Sequence, residues 1–217
     1  MEIAFIRHAE SIGNAQGIMQ GRADYALSEN GHRQAEKVAQ YITTLDYPPI
    51  WSFMYSSPLS RTFETAEKIA KAVNLKFETH ELLLEVDPGI FTGLTWEEAF
   101  AQHPDICKAF KQQKDWSAVP NGESRVHLWK RAETFLNYLL EKHEEKDTIL
   151  VVSHGGFIRA MLAVFCGISP QQNLFISIDN TAISHLCIRH GHNYVRYVNN
   201  MAHLSSTDFI PENRFQS

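Results

Sequence analysis

The chain has 217 residues, a length that suits one domain with a substantial core. Its net charge of −5 argues against nucleic acid or an anionic membrane as the main partner, and no apolar run approaches the ~18 residues that span a bilayer. Cys107, Cys166 and Cys187 are odd in number and widely spaced, so they offer no disulfide framework; with an N-terminus that does not read as a leader peptide, the expectation is a cytoplasmic protein with free thiols.

Taken in order, residues Glu2 to Ile6 read as a short buried strand. Ser28 is placed to cap a helix whose apolar residues Ala35, Val38, Ala39, Ile42 and Leu45 recur at helical spacing. Trp51 to Tyr55 is a second strand. Ser57-Pro58 then reads as an N-cap with proline at the first helical position, opening a helix through Arg61, Ala66, Ile69 and Val73. Leu75 to Thr79 is a third short strand, and Pro88, Gly89 and Gly93 break the next stretch into loop. Past Asn121-Gly122, a long helix from Ser124 shows Val126, Trp129, Ala132, Leu136 and Leu139 on one side. Thr148 to Val152 is the near-continuous apolar run of a central parallel strand. Ser153-His154-Gly155-Gly156 turns into a helix over Phe157 to Phe165. Ala182 to Ile188 and Tyr194 to Val198 complete an antiparallel hairpin at a sheet edge.

Strands alternating with helices predict a three-layer α/β/α fold with a mostly parallel central sheet and an antiparallel edge strand. In such sheets ligands sit outside the carboxyl ends of the strands. Arg7-His8, Ser56 to Arg61 and Ser153-His154 each follow directly on a predicted strand, so all three converge on one edge of the sheet.

Arg7-His8 alone is equally a surface or capping pair, and Ser153-His154-Gly155-Gly156 alone is equally a turn with glycines for packing. Together, two histidines with Arg7 and Arg61 make an anion site. Arginine suits bidentate contact with phosphate oxygens. The glycines allow close approach, and backbone N–H groups at a helix start attract an anion. A neutral imidazole is a competent nucleophile toward phosphorus, with the arginines and the second histidine stabilising the transferring charge. Its other ring nitrogen then holds the proton, most simply by donating to a backbone carbonyl. The leaving alkoxide needs a proton donor. Glu85, between Leu82-Leu83-Leu84 and Asp87-Pro88-Gly89, is the candidate, and a solvated loop carboxylate is the alternative.

Arg7-His8-Ala9-Glu10-Ser11 with Asn14 resembles the signature of the histidine phosphatase superfamily, also called phosphoglycerate mutase-like. The resemblance continues in order through Gln20-Gly21, Leu27-Ser28-x-x-Gly31-x-x-Gln34-Ala35 and Ser56-Ser57-Pro58-Leu59-Ser60-Arg61-Thr62-x-x-Thr65-Ala66. Leu84-Glu85-x-x-x-Gly89-x-x-x-Gly93, Gly122-Glu123-Ser124, Ser153-His154-Gly155-Gly156-x-x-Arg159 and Asn180-Thr181 complete it, spanning roughly residues 3 to 188. It implies a phosphoglycerate mutase-like fold in one domain over 1–217 and a phosphatase acting on a small phosphorylated metabolite. His8 would accept the phosphoryl group, with Arg7, Arg61 and His154 completing the pocket. Ser11, Asn14 and Gly155 would contact phosphate or substrate, Gln20 and Gly21 would lie on the substrate side, and Glu85 would be the proton donor and then the base. The family uses no metal, and for a phosphatase of this kind no cofactor is expected. The chain itself lacks Cys-x-x-Cys and His-Glu-x-x-His, and His190-x-His192 falls in the predicted hairpin turn.

Two other readings share this site. A cofactor-dependent mutase of the same superfamily carries Glu-His-Tyr-Gly where this chain has Glu85-Val86-Asp87-Pro88-Gly89, and it is longer. A non-catalytic phosphate-binding protein would have lost a catalytic position, and none is lost. The segment near 95–120 is expected to be a helical lid. It carries Trp96, Phe100, Phe110 and Trp116 with Lys108, Lys111 and Lys114, which suit a phosphorylated organic acid or a larger apolar phosphate ester; alternatively the aromatics are core and the lysines a solvated face. Met201-Ala202-His203-Leu204 resembles the C-terminal end of metal-independent phosphoserine phosphatases, which are dimers. The edge hairpin could pair two copies into a homodimer, or be covered by the tail.

Overall fold

Alternation along the central strands sorts the apolar residues to two faces. In the computed structural model, which describes residues 1–45, 50–172, 176–205 and 208, Ile3 and Phe5 of β1 (Glu2–Arg7) share one core with Ile149 and Val151 of β4 (Thr148–Ser153). Ala4, Ile6, Leu150 and Val152 face the opposite core. A helix pair covers each face. The first core is closed by α6 (Arg125–Lys142) and α7 (Gly155–Phe165), the second by α2 (Glu29–Thr43) and α3 (Ser60–Val73). The result is the expected three layers.

With β2 (Phe53–Ser56), β3 (Glu78–Thr79), β5 (Ile183–Arg189) and β6 (His192–Asn200), the six-stranded sheet has the order β3-β2-β4-β1-β5-β6. β1, β2, β3 and β4 run parallel, and the hairpin β5–β6 adds the antiparallel edge. A short α1 (Ile12–Ala15) follows β1, while α4 (Trp96–Gln102) and α5 (Pro104–Gln113) lie between β3 and α6.

Four local expectations need correction. Leu59, not Ser57, precedes the first turn of α3; that turn is capped from elsewhere, because Asp24 accepts from the Ser60 N–H at 2.8 Å and from its hydroxyl at 2.7 Å. α7 begins at Gly155, so the two glycines are its first turn instead of a turn ahead of it. The predicted strand at 75–79 pairs only over Glu78–Thr79. On α6, Leu128, Ala132, Phe135 and Leu139 are the buried residues and Val126 is 53% exposed: the helix rotates to put Phe135, its largest apolar side chain in that stripe, into the core. In the 95–119 segment, Trp96, Phe110 and Trp116 pack with Phe91, Ala99, Cys107 and Val119 into a small core of their own, leaving Phe100 and the three lysines exposed.

Candidate active site

Strand register sets the site. Arg7 at the end of β1 lies opposite Ser153 at the end of β4, and the His8 N–H continues the ladder to the Ser153 carbonyl at 2.9 Å. His8 and His154 therefore leave neighbouring strands at one level, with ring centroids 5.2 Å apart at 62°. On the other side of β4 the Ser57 N–H donates to the Val152 carbonyl, and the Ser57 hydroxyl shares a 2.8 Å hydrogen bond with His154 Nε2. Both imidazoles are buried.

His8 has a defined tautomer. Its Nδ1 lies 2.7 Å from the Ala9 carbonyl. A carbonyl can only accept, so Nδ1 carries a proton, and in the neutral ring Nε2 has the lone pair. This is the carbonyl that the sequence could not name. The residue is also held through its backbone. Asn180 Nδ2 donates to the His8 carbonyl at 3.0 Å, and the Ala9 N–H donates to Thr65 Oγ1 at 3.1 Å. Thr181 keeps a left-handed φ of 58° while its N–H serves the carbonyls of Arg7 and His8, an arrangement that a β-branched residue adopts only when its surroundings enforce it.

Both arginines are buried and fixed by carbonyls. Arg7 donates to Ile178 at 2.8 Å; Arg61 donates to Ala23 at 2.9 Å and to Gly21 at 2.7 Å. Burial pushes each guanidinium down to about 10, partly offset by the nearby Glu85 charge, so both stay cationic at neutral pH. Burial, and then Arg61, His8, Arg7 and Arg131, hold His154 well below its ordinary value, so its ring is neutral. Arg61 Nε and His154 Nδ1 are buried without a hydrogen-bond partner among the described residues.

Glu85 reaches the N-terminus of α7. Its carboxylate accepts from the N–H groups of Gly156 and Phe157 at 3.2 Å each and of Val86 at 2.8 Å. The anion facing the helix start is thus the chain's own carboxylate. Gly156 leaves no alternative: a Cβ there would lie 2.4 Å from Glu85 Oε1. Arg131 holds the approach to Glu85, donating to the carbonyls of Leu82, Leu84 and Glu85, and is itself held bidentately by Glu123 at 2.7 and 3.0 Å.

The remaining expected residues join this site at different depths. Ser11 caps α1 and donates to Gln20 Oε1 at 2.7 Å, and Asn14 Oδ1 accepts from the Ser11 N–H at 3.2 Å and from Asn180 at 3.4 Å. Gln20 is buried against Gly13, and Gly21 with φ 49° turns its carbonyl to Arg61. Gly155 is the first residue of α7. His190 is exposed and 3.7 Å from Glu145, and among the described residues no three His, Cys, Asp or Glu side chains come together as a metal site.

Sequence reasoning gave Ser57, Asn180, Glu123 and Arg131 no part in the site. Ser57 carried a competing signal, the proline after it. Asn180 and Glu123 lay within motifs of the resemblance, while Arg131 sits mid-helix with no local signal at all.

The model of the histidine phosphatase superfamily (branch 1) matches residues 3–201. Phosphoserine phosphatase 1 of Hydrogenobacter thermophilus is 31% identical over 94% of this chain and 94% of its own. In Arabidopsis thaliana, phosphoglycerate mutase-like protein 4 is 34% identical over 96% and 89%, and a metal-independent phosphoserine phosphatase is 31% identical over 96% and 85%. The crystal structure of Entamoeba histolytica phosphoserine phosphatase in complex with 3-phosphoglyceric acid superposes with a TM-score of 0.80 at 30% identity, covering 94% of this chain and 99% of that one. A site of two histidines and two buried arginines at the carboxyl edge of the sheet, a family model over nearly the whole length and relatives above 30% identity agree: the chain belongs to the histidine phosphatase superfamily, branch 1.

Proposed function

We propose that the protein is a metal-independent phosphatase that hydrolyses small phosphate monoesters through a phosphohistidine on His8. The observation that carries this reading is the His8 Nδ1–H donated to the Ala9 carbonyl, which frees Nε2 of the neutral ring for attack in a site where two buried guanidiniums also act on His154. His8 Nε2 attacks phosphorus in line as the bond to the ester oxygen breaks. Glu85, having taken the proton of the bound ester's monoanion, gives it to that oxygen. Water then attacks the phosphohistidine, Glu85 takes its proton, and the P–N bond breaks to free phosphate. Arg7 and Arg61 neutralise the phosphoryl oxygens, the task a metal performs elsewhere. Arg61 Nε finds in a phosphoryl oxygen the acceptor it lacks. With the Ser57 hydroxyl donating to His154 Nε2, the His154 Nδ1–H becomes a further donor.

The relatives named phosphoserine phosphatases support hydrolysis, and the one named metal-independent supports chemistry without a metal. We place α4 and α5 as a lid over this site in a single domain, because the segment before them is tied to the substrate-side loop: the Met19 N–H donates to Leu94 and the Gly93 N–H to Met19. A cytoplasmic location suits Cys107, Cys166 and Cys187, all free. The outer strand β6, with Tyr194 and Val195 exposed, is where two copies would pair.

The relative named mutase-like makes isomerisation the second reading. One assay separates them: phosphate release under excess chelator from p-nitrophenyl phosphate, phosphoserine, 3-phosphoglycerate and sugar phosphates. Release from any natural ester sustains the phosphatase. Isomerisation of 3-phosphoglycerate with no release overturns it in favour of the mutase.

A further inference from the structure

A pocket of about 130 Å³ opens beside the N-terminus of α7, lined in part by Lys114, Trp116, Arg125, Trp129, Gly156 and Arg159. A protein cavity of about 150 Å³ holds a benzene molecule, so there is room here for a short carbon chain and its charged end. The pocket adjoins the proposed chemistry. Gly156 lines it while donating to Glu85 Oε2 at 3.2 Å, and Val86, the residue after Glu85, lines it too. Two residues in contact with Glu85 thus line the pocket, which places it next to the group that would protonate the leaving oxygen.

Its charges do not balance. Arg125 donates to the carbonyls of Pro170 at 3.3 Å and of Lys114, and Arg159 donates to the Ile176 carbonyl at 3.0 Å. Neither is ion-paired with a carboxylate among the described residues, although both are half-buried. Of the two lining carboxylates, Glu123 is already paired with Arg131 at 2.7 Å and Arg22 at 3.3 Å. Asp115 accepts from the N–H groups of Ser117 and Arg125 at 2.9 and 3.1 Å. Lys114, Arg125 and Arg159 thus outweigh Asp115. A half-buried guanidinium satisfied only by neutral carbonyls gains most from an added anion, which it can bind through charge-assisted hydrogen bonds.

We infer that this pocket receives the leaving group of the substrate and binds a second anionic group on it, a carboxylate or a second phosphate, through Arg125 and Arg159. The inference rests on the phosphatase reading, with Glu85 as the donor beside the pocket. A phosphate ester of a neutral alcohol fills the same space and gives neither guanidinium an anion, so these two residues set selectivity for metabolites that carry an anion beyond the reacting phosphate.

The test compares kcat/KM for 3-phosphoglycerate and fructose 1,6-bisphosphate with that for glycerol 3-phosphate, in the wild type, Arg125→Gln, Arg159→Gln and Arg159→Lys. The wild type should favour an anionic ester. Each glutamine variant should lower the anionic-to-neutral ratio roughly 10- to 100-fold, mainly through KM, and Arg159→Lys should recover part of it. The ratio is insensitive to the folded fraction of a sample. Whichever ester loses more, the carboxylate or the bisphosphate, names the anion. Ratios unchanged in both glutamine variants, or no preference in the wild type, overturn the subsite. Calorimetric binding of 3-phosphoglycerate and glycerol 3-phosphate to His8→Ala, with and without Arg159→Gln, reads the preference without turnover. A wild type inactive on every ester would sink hydrolysis, while the binding preference and its loss in Arg159→Gln would still decide the subsite.

Discussion

At the scale of the residue, the site is organised by which nitrogen carries a proton. The neutral His8 ring is fixed as the Nδ1–H tautomer by a carbonyl one residue away, which is the form the proposed attack through Nε2 requires. Replacement by alanine should abolish release of p-nitrophenol from p-nitrophenyl phosphate while the circular dichroism spectrum stays native; appreciable turnover would end the phosphohistidine mechanism. For Glu85→Gln the expected loss is about 10²- to 10⁴-fold on an alkyl phosphate and markedly smaller on p-nitrophenyl phosphate, whose leaving group needs no proton. Equal losses on the two would remove Glu85 from the role of acid. Ser57→Ala leaves the buried His154 Nε2 without its partner. We expect roughly a 10-fold fall in kcat/KM and about 1–3 kcal/mol of lost stability from one unsatisfied buried group, read by steady-state kinetics and urea titration. His8, His154 and Arg61 were legible because strand-end position and residue chemistry point the same way. Ser57 was misread because Ser-Pro is a good local cap signal, and only Asp24, distant in sequence, shows that the cap is supplied from elsewhere.

At the scale of the element, α7 does two tasks with one turn. Its first N–H groups hold Glu85, and its apolar body, from Phe157 to Phe165, fills the core between the sheet and α6. Gly156→Ala separates them. Alanine favours a helix interior over glycine by about 1 kcal/mol, yet its Cβ would stand 2.4 Å from Glu85 Oε1 and must push the carboxylate aside. The expected outcome is a loss of activity near 10²-fold with the thermal midpoint little changed. An active variant would show that Glu85 need not sit at the helix start. Helical periodicity identified α2, α3 and α6 from their apolar spacing, but it could not choose between Val126 and Leu128 as the buried start of α6. That choice belongs to the sheet and α7, against which Phe135 and Leu139 must also fit.

At the scale of the whole molecule, burial sets the response to acid. Burial is the leading cause that lowers His80, His143, His154, His185 and His203, the last to about 4 from an ordinary value near 6.5. The unfolded chain takes up these protons as pH drops through about 6.5, while the folded chain refuses them until lower pH. Stability is therefore full above about 6.5 and declines as pH falls toward 4. Thermal melts should show a flat midpoint from pH 8 to 7 and a steady fall from pH 6.5 to 4.5. A midpoint unchanged down to pH 4.5 would mean that these rings are not kept neutral by the fold.

The sequence by itself determined the layer order and which charged segments meet at the end of the sheet. Two-residue alternation and near-continuous apolar runs mark central strands, helical spacing marks the covering helices, and the loaded segments directly after strands must meet on one sheet edge. What only the tertiary structure decided are the contacts between segments far apart in the chain. The Ser57–His154 hydrogen bond, the Arg131–Glu123 clamp behind Glu85, the helix start that receives Glu85 and the unbalanced pocket of Arg125 and Arg159 each join positions whose local sequence is consistent with many partners. Periodicity reports which face of an element is buried; which residue it meets there is fixed by register and packing, and those exist only once the chain has closed on itself.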